Sequence, residues 1–170
     1  MIVDKMETAL NDQINYEFYS SYLYLAMSAY FDSIDLAGAA HWMRIQAQEE
    51  LFHAVKIYDY INERDGRPHL HSVEAPPKEW KSPLDAFEDA YKHEQKVSER
   101  FDKLILLADG ENDQASKVFL HWFVNEQVEE EAAALAIIKK LRLLGDSKSG
   151  IFMLDTELSQ RVFTPPAADA

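Results

Sequence analysis

Gln46-Ala47-Gln48-Glu49-Glu50-Leu51-Phe52-His53-Ala54-Val55-Lys56-Ile57 is the stretch that decides the fold. Stepped at alternating three and four residues, the sequence around it reads Ala39, Met43, Gln46, Glu50, His53, Ile57, Tyr60. Such spacing marks the face a helix buries. This face turns from apolar to acidic at mid-length and then back. Three further stripes do the same. The first is Leu10, Ile14, Glu17, Ser21, Tyr24, Ser28, Phe31. The third is Leu84, Phe87, Tyr91, Glu94, Ser98, Phe101, Ile105, Ala108, and the fourth is Leu120, Phe123, Gln127, Glu130, Ala134, Ile137, Leu141, Leu144. A carboxylate on a buried face is costly unless something pairs with it. No Lys or Arg lies on these stripes to do so.

The punctuation of the chain sets the topology. Helices are expected from about Asp4 to Phe31, Ala37 to Arg64, Pro83 to Ala108, and Asn112 or Asp113 to Gly145. Ser82-Pro83-Leu84-Asp85 has the form of a helix start, and Gly66 suits a left-handed cap. A shorter fifth helix is expected over 147–161, closed off by Pro165-Pro166 before a disordered tail over 165–170. Each main helix has about 28 residues and is roughly 42 Å long. The first and third connections are short, so those pairs are antiparallel neighbours. The connection over residues 67–81 is long enough to span roughly 50 Å. It can therefore cross the length of a bundle. The expected fold is all-α: a single domain over residues 1–170, a four-helix bundle with a long crossover. In it the four polar breaks, each near a helix midpoint, fall at one height.

Composition narrows the classes. The chain has 170 residues, no Cys and a formal net charge of −13. Without Cys there is no disulfide, thiolate site or iron–sulfur cluster. The acidic balance argues against nucleic acid, whose backbone needs a basic surface, and suits a protein that concentrates cations. The first residues carry no apolar core of a signal peptide, and no run approaches a membrane span. A cytoplasmic protein with no membrane partner is the expectation.

Glu50 and His53, at i and i+3, project on one face about a turn apart. A Glu shared between two metals, with a His and one Glu from each of two other helices, is a recurring di-iron design in bundle cores. Oxygen-rich ligands with one imidazole suit iron, then manganese or zinc. Open coordination positions would serve dioxygen and water.

The sequence resembles the prokaryotic non-haem ferritins. The resemblance is carried by Asn11-Asp12-Gln13-Ile14-Asn15-Tyr16-Glu17, Tyr22-Leu23-Tyr24, Glu49-Glu50-Leu51-Phe52-His53-Ala54, His93-Glu94, Trp122 to Glu131, and Pro76-Pro77-Lys78-Glu79-Trp80 in the crossover. It implies iron storage and a ferroxidase centre that oxidises Fe²⁺ with O₂ or H₂O₂. By position, it makes Glu17 and His53 terminal ligands of one iron and Glu50 the bridge. Glu94 and Glu130 become ligands of the second iron. Gln127 takes the place of the polar neighbour on the oxygen-binding side. Tyr24 takes that of the nearby tyrosine, and Trp122 that of the nearby aromatic. The resemblance also implies a third iron position toward a cavity, from Glu49, Glu126 and Glu129 with Glu130. It implies a homo-oligomeric, octahedral shell of 24 subunits with the fifth helix at the fourfold axes. Asp109, Glu111 and Asp113 are candidates to line an iron inlet.

Two departures separate the chain from relatives with the same bundle. Bacterioferritins carry a second Glu-x-x-His on the fourth helix, and here neither Gln127 to Glu130 nor Glu126 to Glu129 supplies a His. Their haem-ligating Met corresponds to Phe52, so no haem is expected. Rubrerythrin-like peroxidases need a Cys-ligated iron. The alternatives are a bacterioferritin-like di-iron protein and a non-enzymatic helical bundle. His69 and His71 in the crossover could bind a metal together, but surface-loop histidines usually bind nothing; His41 and His121 lack motif partners, and His93 is expected to point away from the seam.

Overall fold

The structure, a computed structural model, describes residues 1–165. The tail expected beyond Pro165 lies outside the described residues. Five helices follow in order: α1 Asp4–Ser33, α2 Ala37–Glu63, α3 Pro83–Gly110, α4 Gln114–Leu144 and α5 Lys148–Leu158. α1 packs along α2, α3 along α4, and α1 also meets α3. Ser82 caps α3 as its sequence suggests, accepting from the Asp85 backbone N–H at 3.1 Å. Asp113 does the same for α4, accepting from the Ser116 N–H at 3.1 Å.

The apolar interior is split in two. One cluster joins Leu10 and Ile14 of α1 to Ile57 and Ile61 of α2, Val97 and Phe101 of α3, and Leu120 and Phe123 of α4. The other joins Met27 and Phe31, Ala39 and Met43, Phe87 and Ala90, and Ile137 and Leu141. The late half of α2 therefore lies beside the late half of α3, so these two helices run parallel. A parallel pair needs a connection as long as the bundle, which is the crossover. Asn11 ties that crossover down: its Nδ2 donates to the Arg67 carbonyl at 3.2 Å, and its Oδ1 accepts from the His69 backbone N–H at 2.6 Å.

Two expectations change. The left-handed residue that ends α2 is Asp65, with φ of 59°, and not Gly66. Gly66 is small for another reason: a Cβ there would lie within 2.9 Å of Ile2 and Ile61 side-chain atoms. On α3 the buried seam runs Phe87, Ala90, Glu94, Val97, Phe101, Leu104, Ala108, rotated from the expected one. Tyr91, Ser98 and Ile105 flank it half-buried. The three acids near the start of α4 each meet a cation. Asp109 pairs with Lys117, Glu111 with Lys5, and Asp113 is buried against Arg64.

α5 is shorter than expected and docks on its own bundle. Leu154 and Leu158 enter the second apolar cluster, while Phe152 and Met153 stay exposed. Its anchor is electrostatic. Leu36, at the start of α2, offers no capping side chain. The Asp155 carboxylate supplies the cap from α5, accepting from the Gly38 and Ala39 N–H groups at 3.0 and 2.8 Å. Gly38 must be glycine here, because a Cβ would fall 1.7 Å from the Asp155 carbonyl oxygen. Asp155→Ala is expected to lower stability by about 1–2 kcal/mol, the size of a lost N-cap with its dipole contact. Urea unfolding of wild type and variant measures it; unchanged midpoints would contradict the role.

Candidate metal centre

The polar layer between the two apolar clusters is where the breaks of all four helices meet. Glu17, Glu50, His53, Glu94, Gln127 and Glu130 are all buried there. Facing oxygen or nitrogen atoms of Glu17, Glu50 and His53 lie within 4.8 Å of one another. Among the described residues, four buried side-chain polar atoms have no hydrogen-bond partner. They are Glu17 Oε2, Glu50 Oε2, His53 Nδ1 and Asn15 Oδ1. Three of the four thus belong to the cluster. Native interiors leave few such atoms, so the coincidence needs a reason. His53 Nδ1 stands 3.5 Å from Glu50 Oε2, too far for a good hydrogen bond. A cation bound by all three would satisfy each atom.

The other oxygens of these carboxylates are already held, each by a glutamine amide. Gln13 Nε2 donates to Glu17 Oε1 at 2.7 Å, and Gln46 Nε2 to Glu50 Oε1 at 3.0 Å. Gln46 Nε2 also reaches Glu130 Oε2 at 2.6 Å. Gln127 Nε2 donates to Glu94 Oε2 at 3.0 Å, and the Tyr24 hydroxyl donates to Glu94 Oε1. Two arginines fix which way the first two amides face. Arg100 Nε donates to Gln13 Oε1 at 2.8 Å, and Arg161 Nη1 to Gln46 Oε1 at 2.6 Å. An arginine only donates, so it must take the amide oxygen and turn the NH₂ toward the carboxylate. Gln13 and Gln46 each precede their glutamate by four residues, the spacing that stacks side chains on a helix. That spacing was visible in the sequence; the arginines were not, since Arg100 lies on α3 and Arg161 follows α5.

The structure therefore brings together three of the five expected di-iron ligands. Glu17, Glu50 and His53 converge with free atoms. Glu94 and Glu130 lie in the same layer but are hydrogen-bonded to Tyr24, Gln127 and Gln46. Glu49, Glu126 and Glu129 line a cavity of about 350 Å³ with His53, Trp122 and Glu130. Trp122 meets His53 edge-on at 5.5 Å between centroids. Phe52 packs against Trp122 and Phe163. His93 points away from the cluster as expected, yet it is buried. Its Nε2 lies 2.7 Å from Ser20 Oγ, and its ring stacks on Tyr16. His41 Nε2 meets the Arg161 carbonyl at 2.8 Å.

Burial sets the protonation of the layer. It pushes Glu17 well above the ordinary carboxylate value, with the Glu50 charge adding to it. Glu94 rises likewise, from burial and then Glu50 and Glu130. Glu130 rises to about 7, through burial and the charges of Glu50 and Glu49. Burial also raises Glu49 to about 7 against the pull of Arg161. Burial opposes the charge on Glu50 too, but interaction with His53, Glu17 and Gln46 outweighs it and holds Glu50 below its ordinary value. His53 is the converse: burial lowers it, and Glu50, Glu17 and Glu130 together raise it to about 10. Without a metal, burial favours the neutral forms of Glu17 and Glu94, while Glu50 and His53 favour each other's charge.

The chain is similar to known ferritins over nearly its whole length. The family described as ferritin-like domain matches residues 7–144. A bacterial non-heme ferritin of Bacteroides fragilis is 45% identical over 161 residues, covering 95% of this chain and 100% of that one. One from Staphylococcus haemolyticus is 40% identical over 163 residues, covering 96% and 98%. Among solved structures, an engineered closed form of the Archaeoglobus fulgidus ferritin matches with a TM-score of 0.96 and 55% identity, over 96% of this chain and 100% of that one. The open-pore ferritin of the same archaeon matches with a TM-score of 0.94 and 55% identity, over 95% and 99%.

Metal binding needs His53 neutral and the glutamates ionised, so it must expel protons. Zn²⁺ added at pH 7 in weak buffer is expected to release protons, and its affinity to fall toward pH 5. Stability without metal has the opposite sign. Glu130 and Glu49 have folded values raised from 4.5 to about 7. Their contribution is full below pH 4.5 and lost as pH rises through 7. The metal-free melting temperature is expected to fall across that window, and to fall less in Glu130→Gln. Binding without proton release, or a melting temperature that climbs equally in both proteins, would contradict the assignment.

Proposed function

The chain belongs to the ferritin-like family, and on that premise we propose that it stores iron by oxidising Fe²⁺ at the buried layer. The observation that carries the reading is the set of unpartnered atoms on Glu17, Glu50 and His53. Nothing else in a bundle core favours two carboxylates and an imidazole facing one another out of water. A second reading, a non-enzymatic bundle, leaves that arrangement without a purpose.

The hydrogen bonds suggest an order of loading. The first Fe²⁺ binds Glu17, Glu50 and His53, whose ligand atoms are free, and displaces protons from Glu17 and His53. The second binds between Glu50, Glu94 and Glu130. It must first turn Glu130 from Gln46 and Glu94 from Tyr24 and Gln127, so it binds more weakly. Each Fe²⁺ then gives up one electron; O₂ takes the pair with two protons to give H₂O₂, or H₂O₂ takes the pair with two protons to give two waters. Glu94 and Gln127 border the oxidant side, with Tyr24 beside them, its hydroxyl donating to Glu94 until the second ion binds. Fe³⁺ leaves along Glu49, Glu126 and Glu129, past Trp122, to a cavity where it hydrolyses and forms mineral. Phe52, packed among aromatic rings, provides no ligand for haem.

A mineral needs an enclosure, and the proposed one is an octahedral shell of 24 copies. Support comes from apolar residues left on the outside of the subunit. Tyr22 and Leu25 on α1, and Leu51, Val55 and Tyr58 on α2, are exposed. Phe152 and Met153 on α5 are 72% exposed each, a face suited to meeting other copies at the fourfold axes. The partners are iron, the oxidant and further copies of the chain, with no nucleic acid. No helix of the described residues is long and apolar enough to cross a membrane. A cytoplasmic location and a single domain fit this reading.

Stopped-flow absorbance after aerobic addition of two Fe²⁺ per subunit tests it. Wild type is expected to show a fast phase, and Glu50→Ala with His53→Ala to lose it by about 100-fold or more, as for removal of metal ligands. Unchanged kinetics in the double variant would refute the centre, and a monomer on sizing would refute the shell.

A further inference from the structure

The segment after α5 turns back over α2 and ends at the metal layer. Arg161 is its contact point. Arg161 Nη2 pairs with Glu49 Oε2, and Nη1 donates to Gln46 Oε1 at 2.6 Å. The guanidinium carbon lies 4.1 Å above the Trp42 ring. The side chains of this ion pair are only 19% and 12% exposed. The backbone carbonyl of Arg161 meets His41, and Phe163 packs on Phe52 at 5.8 Å between centroids. Arg161 to Thr164 thus form one wall of the cavity that holds Glu49, Glu126, Glu129 and Glu130.

We propose that Arg161 occupies the third iron position as a built-in cation and so sets how many metal ions the subunit holds. The inference rests on the two-ion reading above and refines its exit route. Glu49 lies directly beside Glu50 in the chain, as Glu129 lies beside Glu130. The Glu49 carboxylate is turned into a partly buried ion pair with a group that carries a permanent charge. A metal ion that is to use Glu49 must displace the guanidinium from Glu49, from Gln46 and from the face of Trp42. Those contacts act together, because a planar guanidinium makes all of them in one position. Among the described residues, Glu126 (half-buried) and Glu129 (exposed) form no salt bridge, Lys56 acting on Glu126 only from farther away. They are left as a weak acidic pair until Arg161 moves. The same side chain holds the amide that donates to Glu50 and Glu130. Displacing it therefore also loosens the ligands that an oxidised ion must leave. Arg161 in this position is a specificity-determining residue: in place, it limits the subunit to the inner pair; displaced, it opens the route outward.

Calorimetric titration of the mineral-free, assembled protein with Zn²⁺ at pH 7 tests this. Zn²⁺ does not change oxidation state, so the readout is independent of ferroxidase activity. Wild type is expected to bind about two tight ions per subunit, and Arg161→Ala about three. Arg161→Lys, with a weaker hold on the amide, should stay near two. Arg161→Ala combined with Glu49→Gln should return to two, which shows that the extra ion uses Glu49. Crystals of Arg161→Ala with Zn²⁺ should show anomalous density against Glu49. Equal stoichiometry in wild type and Arg161→Ala, whether two or three, would overturn the role of Arg161 while leaving the inner pair intact. Wild type that binds no tight ion would overturn the two-ion reading and this inference with it.

Discussion

Burying four carboxylates and an imidazole in one layer is the constraint to which the rest of the structure answers. Moving an ion out of water costs several kcal/mol even after relaxation. The bundle meets that cost in three ways. It favours the neutral forms of Glu17 and Glu94. It places an ionised Glu50 beside a charged His53. It aims a glutamine amide at each carboxylate. What remains unmet are the three facing atoms that a cation would satisfy. The layer also divides the apolar interior, so each end of the bundle carries its own cluster and the middle is left for chemistry.

The arginines give this layer its orientation. Arg100 and Arg161 never touch Glu17 or Glu50, yet each holds the oxygen of the glutamine that does. A charge placed one residue away steers the carboxylate without neutralising it. A direct Arg–Glu pair would have given a more comfortable apo protein and a poorer metal site. The arrangement keeps the ligand atoms free while the other side of each carboxylate is fixed, which is the preorganisation a binding site needs.

Much of the fold was legible because helices bury one side at a fixed period. Glu17, Glu50, His53, Glu94 and Glu130 interrupt that period at equivalent places, and the long crossover fixes how the helices align. The seam of α3 was misread by one position. Phe87, Glu94, Phe101 and Ala108 are common to both readings, but the structure fills the gaps with Ala90, Val97 and Leu104 where Tyr91, Ser98 and Ile105 were expected. The two choices flank the same seven-residue repeat. Which one turns inward depends on the neighbouring helices and not on the local period. Gly66 was assigned a backbone role when its small size is what the packing requires. The contact of Arg161 with Glu49 was not legible at all. It joins residues 112 positions apart through a segment with no periodicity. Among site residues the three that converge were as clear as the two held by hydrogen bonds, because spacing reports the face of a helix and not the rotamer of a side chain.

The central claim is that the three unpartnered atoms of the layer are metal ligands. Diffraction from crystals soaked anaerobically with Fe²⁺, measured on both sides of the iron absorption edge, tests it most directly. The account expects the first anomalous peak to lie about 2.0–2.3 Å from Glu17 Oε2, Glu50 Oε2 and His53 Nδ1, the usual range for such ligands. A layer that stays without iron, or a first peak elsewhere with those three atoms still unpartnered, would contradict it.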